Sequence, residues 1–337
     1  MSSKRTRVND PELEVSLSSE DRHLFNAAWE TARANHGREF TFYLPGMIRY
    51  GKERGRYPAI SITGDRCDLQ CEHCKGKLLE PMWKAEDPAR LGEMCQKFAR
   101  NGAHGILLSG GSDQRGRLPW KQYGKEIKRI KDDTALFISA HTGFIDPCTA
   151  KSIKRAGVVQ ALIDVMGDEE TATRVYHLSS LKQVHSALRG IKKSGLELIP
   201  HIVAGLYYGN IKAEREALEI IRFYRPNALV IVVLAALQGT PMSDVSPPSP
   251  LEIGRLIARA RLMMPEVPIS LGCERPRNRD GWVMEKLAIQ AGANRMAVWS
   301  DSAIQEAKNL DLKPRFQATC CSLNYRPEFA ATPPMGF

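Results

Sequence analysis

The stretch Ser61-Ile-Thr-Gly-Asp-Arg-Cys67-Asp-Leu-Gln-Cys71-Glu-His73-Cys74-Lys-Gly76 decides how this chain is read. Three cysteines fall within eight residues at C-x3-C-x2-C spacing. The apolar, β-branched run at 57–63 leads into them and reads as a strand, so the cysteines sit on a loop just past a strand's C-terminal end. Three close thiols without a fourth point to a metal centre with one position left open. Structural zinc usually closes its tetrahedron with a fourth Cys or His, whereas iron–sulfur clusters also sit on short cysteine loops. His73 is the candidate fourth zinc ligand, but its place between Glu72 and Cys74 would turn its ring away from the sulfurs. The reading taken is a redox-active iron–sulfur site, with a zinc knuckle and free thiols as alternatives.

Outward from this loop the chain alternates. Strand-like runs lie at 57–63, 105–109, 135–141, 159–165, 196–204, 228–235, 267–272 and 295–299. Helical patterns fill 88–101, 120–130, 147–156, 180–194, 212–224, 250–264, 281–291 and 301–310. Gly102, Gly105, Gly157, Gly195 and Gly292 follow helices as left-handed stops. The strands are continuous apolar runs, as in a parallel sheet buried on both faces. Eight such units in about 250 residues match a TIM-type (β/α)8 barrel; an open doubly wound sheet is the alternative. Ahead of the barrel, Ser18 or Ser19 starts a helix ending near His36-Gly37, and 40–55 reads as a lead-in loop. The division expected is a polar tail, helix and loop at 1–55, the barrel at 56–312, and a cysteine-containing tail at 313–337 that closes the barrel mouth.

Composition narrows the setting. Lys and Arg number 48 against 38 Asp and Glu, a net charge of +10, which attracts an acidic carrier protein, phosphates or nucleic acid. No RNA-binding module or compact basic block is present, which favours the carrier protein. The eight cysteines stand at 67, 71, 74, 95, 148, 273, 320 and 321. The N-terminus carries no apolar signal segment, and the longest apolar run, 228–237, is about half a membrane span. The chain therefore reads as a soluble, cytoplasmic protein whose clustered thiols bind metal or do chemistry. Cys95 and Cys148 fall within helices and read as structural.

In parallel barrels the site lies at the C-terminal strand ends, and the unusual residues gather there. They include Ser109-Gly110-Gly111, His141-Thr-Gly, Asp164 with Asp168 and Glu169, His201, and Cys273-Glu-Arg. Gly110 and Gly111 allow backbone to approach a ligand closely. The adjacent Cys320 and Cys321 are either ligands or buried small apolar groups.

The cysteine loop after strand one, with Ser-Gly-Gly after strand two, resembles the radical S-adenosylmethionine (SAM) superfamily. That resemblance implies a 4Fe-4S cluster on Cys67, Cys71 and Cys74, whose open iron chelates SAM and whose reduction cleaves it to a 5′-deoxyadenosyl radical. It places Ser109, Gly110 and Gly111 against the methionine end of SAM and His73 near the adenine. Asp164 and His201 join the SAM set, with Asp164, Asp168 and Glu169 as candidates for the ribose hydroxyls. Ser112 and Asp113 stand where many members carry Glu. The motifs at His141, Asp164–Asp168, His201, Leu271–Pro276 and Cys320–Leu323 resemble the biotin-synthase-like branch, most nearly the two-component (LipS-type) lipoyl synthases. The resemblance covers about residues 40–325. It implies sulfur insertion at C6 or C8 of a protein-bound octanoyl chain, with an auxiliary iron–sulfur cluster on Cys273, Cys320 and Cys321 as sulfur donor. The partners implied are a lipoyl carrier bearing octanoyl-lysine, a paralogous second radical SAM subunit, and a reductant such as ferredoxin or flavodoxin. The competing expectations are a one-cluster mutase, lyase or methylase, and a zinc-binding scaffold.

Overall fold

The structure, a computed structural model, describes residues 15–50 and 53–331; the polar tail expected at the N-terminus lies outside them up to residue 14. Helix α1 (Ser19–His36) starts on the Ser18 side chain, which accepts the Asp21 N–H. Strand β1 (Glu39–Tyr43) follows, then a two-stranded hairpin, β2 (Arg49–Tyr50) with β3 (Glu53–Arg54). The alternating units are β4 (Ala59–Ser61), with the short edge strand β5 (Trp83–Lys84) and α2 (Pro88–Arg100); β6 (Gly105–Ser109) and α3 (Trp120–Asp133); β7 (Phe137–His141) and α4 (Pro147–Ala156); and β8 (Gln160–Asp164) with α5 (Glu169–Arg174) and α6 (Lys182–Ser194). Then come β9 (Glu197–Ala204) and α7 (Glu214–Phe223), β10 (Leu229–Val233) and α8 (Pro250–Met263), β11 (Ile269–Leu271) and α9 (Arg279–Gln290), β12 (Arg295–Ala297) and α10 (Asp301–Asn309), and finally β13 (Lys313–Gln317).

All eight expected units are present, and their strands lie side by side in chain order, every ladder parallel. The closed eight-stranded ring is not what forms. The full order is β13-β1-β12-β11-β10-β9-β8-β7-β6-β4-β5, a curled eleven-stranded parallel sheet. Among the described residues no ladder joins β13 to β4 or β5; a single hydrogen bond, Arg56 N–H to Ala318 O at 2.8 Å, bridges that gap. The stretch expected to be a lead-in loop supplies β1, because Phe40, Thr41, Phe42 and Tyr43 are all buried and pair with β13, the last three with β12 as well.

The helix starts follow from capping chemistry. Asp87-Pro88, Asp146-Pro147 and Ser249-Pro250 each put a side-chain acceptor before a proline whose missing N–H costs nothing in the first turn. Gly157 and Gly195 end α4 and α6 in the left-handed region, at φ 115° and 76°. Gly105 is no helix stop: it opens β6, where a Cβ would lie 2.3 Å from the Phe137 carbonyl oxygen.

Among its described residues, up to 331, the tail does not close the mouth. After β13 the chain turns into the barrel lumen. Ser322 exchanges hydrogen bonds with Gln160, the first residue of β8, and Arg295, the first of β12, donates to the Cys321 and Leu323 carbonyls. Both anchors stand at the N-terminal ends of strands, opposite the cysteine loop. Polar donors there, the Arg295 guanidinium and the Gln160 amide, satisfy the tail's buried carbonyls. No helix among the described residues is long and apolar enough to cross a membrane.

Candidate metal and ligand site

The cysteine loop hangs between two supports. On one side Thr63 Oγ1 accepts the Gly111 N–H at 2.7 Å and donates to the Arg66 carbonyl, while the Asp68 and Leu69 N–H groups donate to the Ser112 carbonyl. On the other, the segment 175–177 after α5 holds it. Glu72 N–H donates to Val175 O, the His177 ring meets Leu69 O through Nδ1, and its Nε2 lies 2.9 Å from the Glu72 carboxylate. Gln70 and Lys75 adopt left-handed backbone, φ 49° and 44°, and Cys71 O accepts the Cys74 and Lys75 N–H groups. The resulting tight turn gathers its side chains on one side.

That turn corrects one expectation. His73 does not point away from the sulfurs: the ligand atoms of Cys71, His73 and Cys74 all lie within 4.8 Å of one another, the one such group found among the described residues. The His73 ring also packs 5.1 Å from Tyr176, and its Nδ1 is buried without a hydrogen-bond partner. The Cys71 thiol donates to the Tyr176 carbonyl at 3.8 Å. Its neighbour Cys74 is pushed down, first by Cys71 and then by His73, while Cys71 is pushed up by Cys74 and by burial. Cys67 stands outside the tight trio but lines the same open cavity of about 870 Å³.

The cavity also takes in Ser109, Gly110, Gly111, His141 and Asp164, with Leu78, Leu79, Met82, Leu118 and Phe144 as its apolar wall. The two glycines differ. A Cβ on Gly111 would sit 1.9 Å from the Arg66 carbonyl oxygen and 2.5 Å from Cys67 Cβ, whereas one on Gly110 would meet only Thr63 and Leu118 side-chain atoms at 3.0 Å or more. Gly111 therefore seats the cysteine loop, and its N–H is spent on Thr63. Ser112 lines the cavity, but the Asp113 side chain is engaged by the Arg115 and Arg117 N–H groups.

Asp164 accepts a 2.8 Å hydrogen bond from the buried Tyr176 hydroxyl. His201 is not in the cavity wall; it is buried behind His141, ring centroids 4.9 Å apart. Burial first, then the neighbouring His141, pushes His201 down to about 3, and burial also lowers His141, so both rings are neutral. Asp168 and Glu169 are taken by the fold. Asp168 caps α5 and pairs with Lys212 at 2.9 Å, and Glu169 accepts the Leu181 N–H. Their carboxylates are thus committed away from any ribose.

Cys273, Cys320 and Cys321 do come together, in the lumen. They pack with Tyr43, Leu162, Ile199 and Val230, inward-facing residues of β1, β8, β9 and β10. Cys320 is lowered, first by its neighbour Cys321 and then by the Ser322 side chain and backbone, while Cys321 is raised by Cys320 and by burial. Burial pushes Cys273 up to about 11. Cys95 is buried on α2, while Cys148 is exposed at the start of α4. Sequence reasoning missed Thr63, Tyr176, His177 and Arg295, which have no motif and act through partners remote in sequence.

The donor set fits an iron–sulfur group at the mouth: three thiols border one cavity, the Cys74 thiol among them is pushed down by its neighbours, and an unpaired ring nitrogen lies beside them. No family model matches the chain. The chain is similar to biotin synthase of Geobacter sulfurreducens, 24% identical over 65% of this chain and 68% of that protein. It is similar to biotin synthase of Zymomonas mobilis at 24% over 75% and 76%. Among solved structures it superposes on methylornithine synthase (PylB) with a TM-score of 0.63 at 18% identity, covering 90% of this chain and 92% of that one.

Proposed function

We infer that this chain, a radical SAM superfamily relative of biotin synthases, inserts sulfur into an unactivated C–H bond of a carrier-bound octanoyl chain, at C6 or C8, as a lipoyl synthase subunit. The observation that carries the reading is the presence of two cysteine groups in one barrel, one at the mouth and one in the lumen. Cys67, Cys71 and Cys74 would hold the 4Fe-4S cluster, and Cys273, Cys320 and Cys321 an auxiliary one. When bound and reduced, the first group supplies the electron that cleaves SAM into a hydrogen-abstracting radical. A radical route suits these carbons because no neighbouring group acidifies their C–H bonds, and the cofactor carries that chemistry.

The chain's own residues bind, orient and exclude water. Ser109, Gly110 and Gly111 border the methionine end of SAM. Asp164, fixed by Tyr176, offers its remaining oxygen to the nucleoside. His73 packs at the adenine, and His201 supports His141 from behind. The apolar wall of Leu78, Leu79, Met82, Leu118 and Phe144 suits an alkyl chain. The outer helices support an acidic partner. Adjacent α4 and α6 carry Lys151, Lys154, Arg155, Lys182, Arg189, Lys192 and Lys193, without one Asp or Glu. That surface fits an acidic lipoyl carrier domain, and a paralogous subunit and a ferredoxin- or flavodoxin-type reductant complete the system.

The test is iron and acid-labile sulfide after anaerobic reconstitution, in wild type and in Cys320→Ala/Cys321→Ala. It is paired with mass spectrometry of an octanoylated carrier peptide, with and without the paralogue. Lower iron in the variant and a sulfur-dependent mass increase are expected. Equal iron in both proteins would sink the second cluster. SAM cleavage without any mass increase would favour a one-cluster mutase, lyase or methylase.

A further inference from the structure

We propose that Arg295 is a positioning residue that clamps the thiol-bearing segment 320–324 inside the lumen and so sets where Cys320 and Cys321 point. The proposal rests on the reading of those two cysteines as ligands, and it concerns how they are held.

Arg295 opens β12 and is 5% exposed. One terminal nitrogen, Nη1, donates to the Cys321 carbonyl at 3.2 Å and to the Leu323 carbonyl at 3.1 Å; the other, Nη2, donates to Asn324 Oδ1 at 2.8 Å. All three acceptors lie within four consecutive residues. A planar guanidinium presents its N–H groups as a rigid fork, so one side chain fixes both the path and the rotation of this segment.

The surroundings complete the grip. The Tyr43 hydroxyl, from β1, donates to the same Leu323 carbonyl at 2.8 Å, and the Arg295 guanidinium lies 5.9 Å from the Tyr43 ring. From the far side Gln160 donates to Ser322 O at 3.2 Å and accepts from Ser322 Oγ at 3.1 Å. Residues 321–324 are thus tied to β1, β8 and β12. This segment forms neither helix nor strand, so it has no repeating hydrogen bonds of its own. Its carbonyls enter a lumen walled by Leu162, Ile199 and Val230, where an unmet carbonyl is costly. The clamp meets that need and leaves the two adjacent thiols facing Cys273. No other described cation donates to the 320–324 backbone.

The test uses the full chain without metal, under anaerobic conditions. Native-state alkylation by iodoacetamide is followed by mass spectrometry at Cys320 and Cys321, with Cys95, buried on α2, as the internal reference. Arg295→Met is expected to speed labelling at Cys320 and Cys321 at least tenfold and to leave Cys95 unchanged. Arg295→Lys, which keeps the charge and loses the fork, should fall between. After reconstitution, Arg295→Met should lose the iron that Cys320→Ala/Cys321→Ala loses and keep the rest. Unchanged labelling at the two cysteines would overturn the clamp, as would equal acceleration at Cys95, which reports general loosening. Should Arg295→Met not fold, Gln160→Leu cuts the opposite pair of bonds and must give the same local effect. If wild type binds no lumen iron yet the labelling shift persists, the clamp stands and the ligand reading falls.

Discussion

At the scale of single residues, the double glycine after β6 separates into two jobs. Gly111 has the cysteine loop's backbone against its α-carbon, and Gly110 does not. Gly111→Ala must push Cys67 and Arg66 outward, and a displacement near 1 Å at a reacting centre costs on the order of a hundredfold in rate. We expect Gly111→Ala to lose most of the iron at the mouth and to slow 5′-deoxyadenosine formation by about that factor. Gly110→Ala, which meets only side-chain atoms of Thr63 and Leu118 at 3.0 Å or more, should stay within about threefold of wild type, since it forces no backbone shift. Iron content and product measured side by side decide this. The importance of the pair was legible in the sequence, but the division was not, because Arg66 and Cys67 meet Gly111 only through the folded turn. His73 shows the same limit. Its flanking residues suggest a ring turned outward, yet the left-handed conformations at Gln70 and Lys75 swing it among the sulfurs.

At the scale of elements, local chemistry wrote most of the answer. Caps such as Asp87-Pro88 and Asp146-Pro147 announce their helices, and glycines at positive φ end several of them. What local chemistry cannot announce is partner choice. Strand β13, Lys-Pro-Arg-Phe-Gln, is short, polar and contains proline, so it reads as no strand at all; it exists because β1 offers it an edge. The docking of α1 makes a testable pH effect. His36, at the end of α1, accepts a hydrogen bond from Arg261 of α8 at 2.7 Å. Burial, then the Arg261 charge, pushes its pKa down to about 4 from an ordinary 6.5. The unfolded chain therefore takes up the proton first as pH falls, and stability must decline from about pH 6.5 to about pH 4. Buried His141 and His201 act in the same direction. His36→Gln should flatten this slope without abolishing it, as read by urea midpoints across that range.

At the scale of the whole molecule, the barrel-like sheet was legible because eight units repeat the same alternation, but the arrangement of its ends was not. Beyond β12 the sheet is extended by one strand from before the first unit and one from after the last, and its far edge stays unpaired with β4 among the described residues. Chain order gives no hint of such an arrangement, because hydrogen-bonding edges match by geometry and not by sequence distance. The charge, too, is arranged and not merely summed. Helix α3 pairs its own Glu126 and Asp132 with Arg129 and Lys128, while α4 and α6 carry basic residues alone. Replacing Lys151, Arg155 and Lys193 with Glu should weaken binding of the acidic carrier domain proposed above by on the order of tenfold, mostly through slower association. The difference should shrink as salt rises, because exposed charges are screened beyond about 8–10 Å at physiological ionic strength. Binding measured at two salt concentrations tests both statements.

The lumen has a consequence in time. Every strand that walls it precedes the segment that fills it, and Cys320 and Cys321 emerge from the ribosome some 250 residues after Cys67. A nascent chain can shape its cysteine loop around β4, β6 and the 175–177 segment while the lumen is still without its inner thiols. Chain order thus puts the mouth's thiols and their supports ahead of Cys320 and Cys321, and Gln160 and Arg295 are already made when the segment that they hold appears.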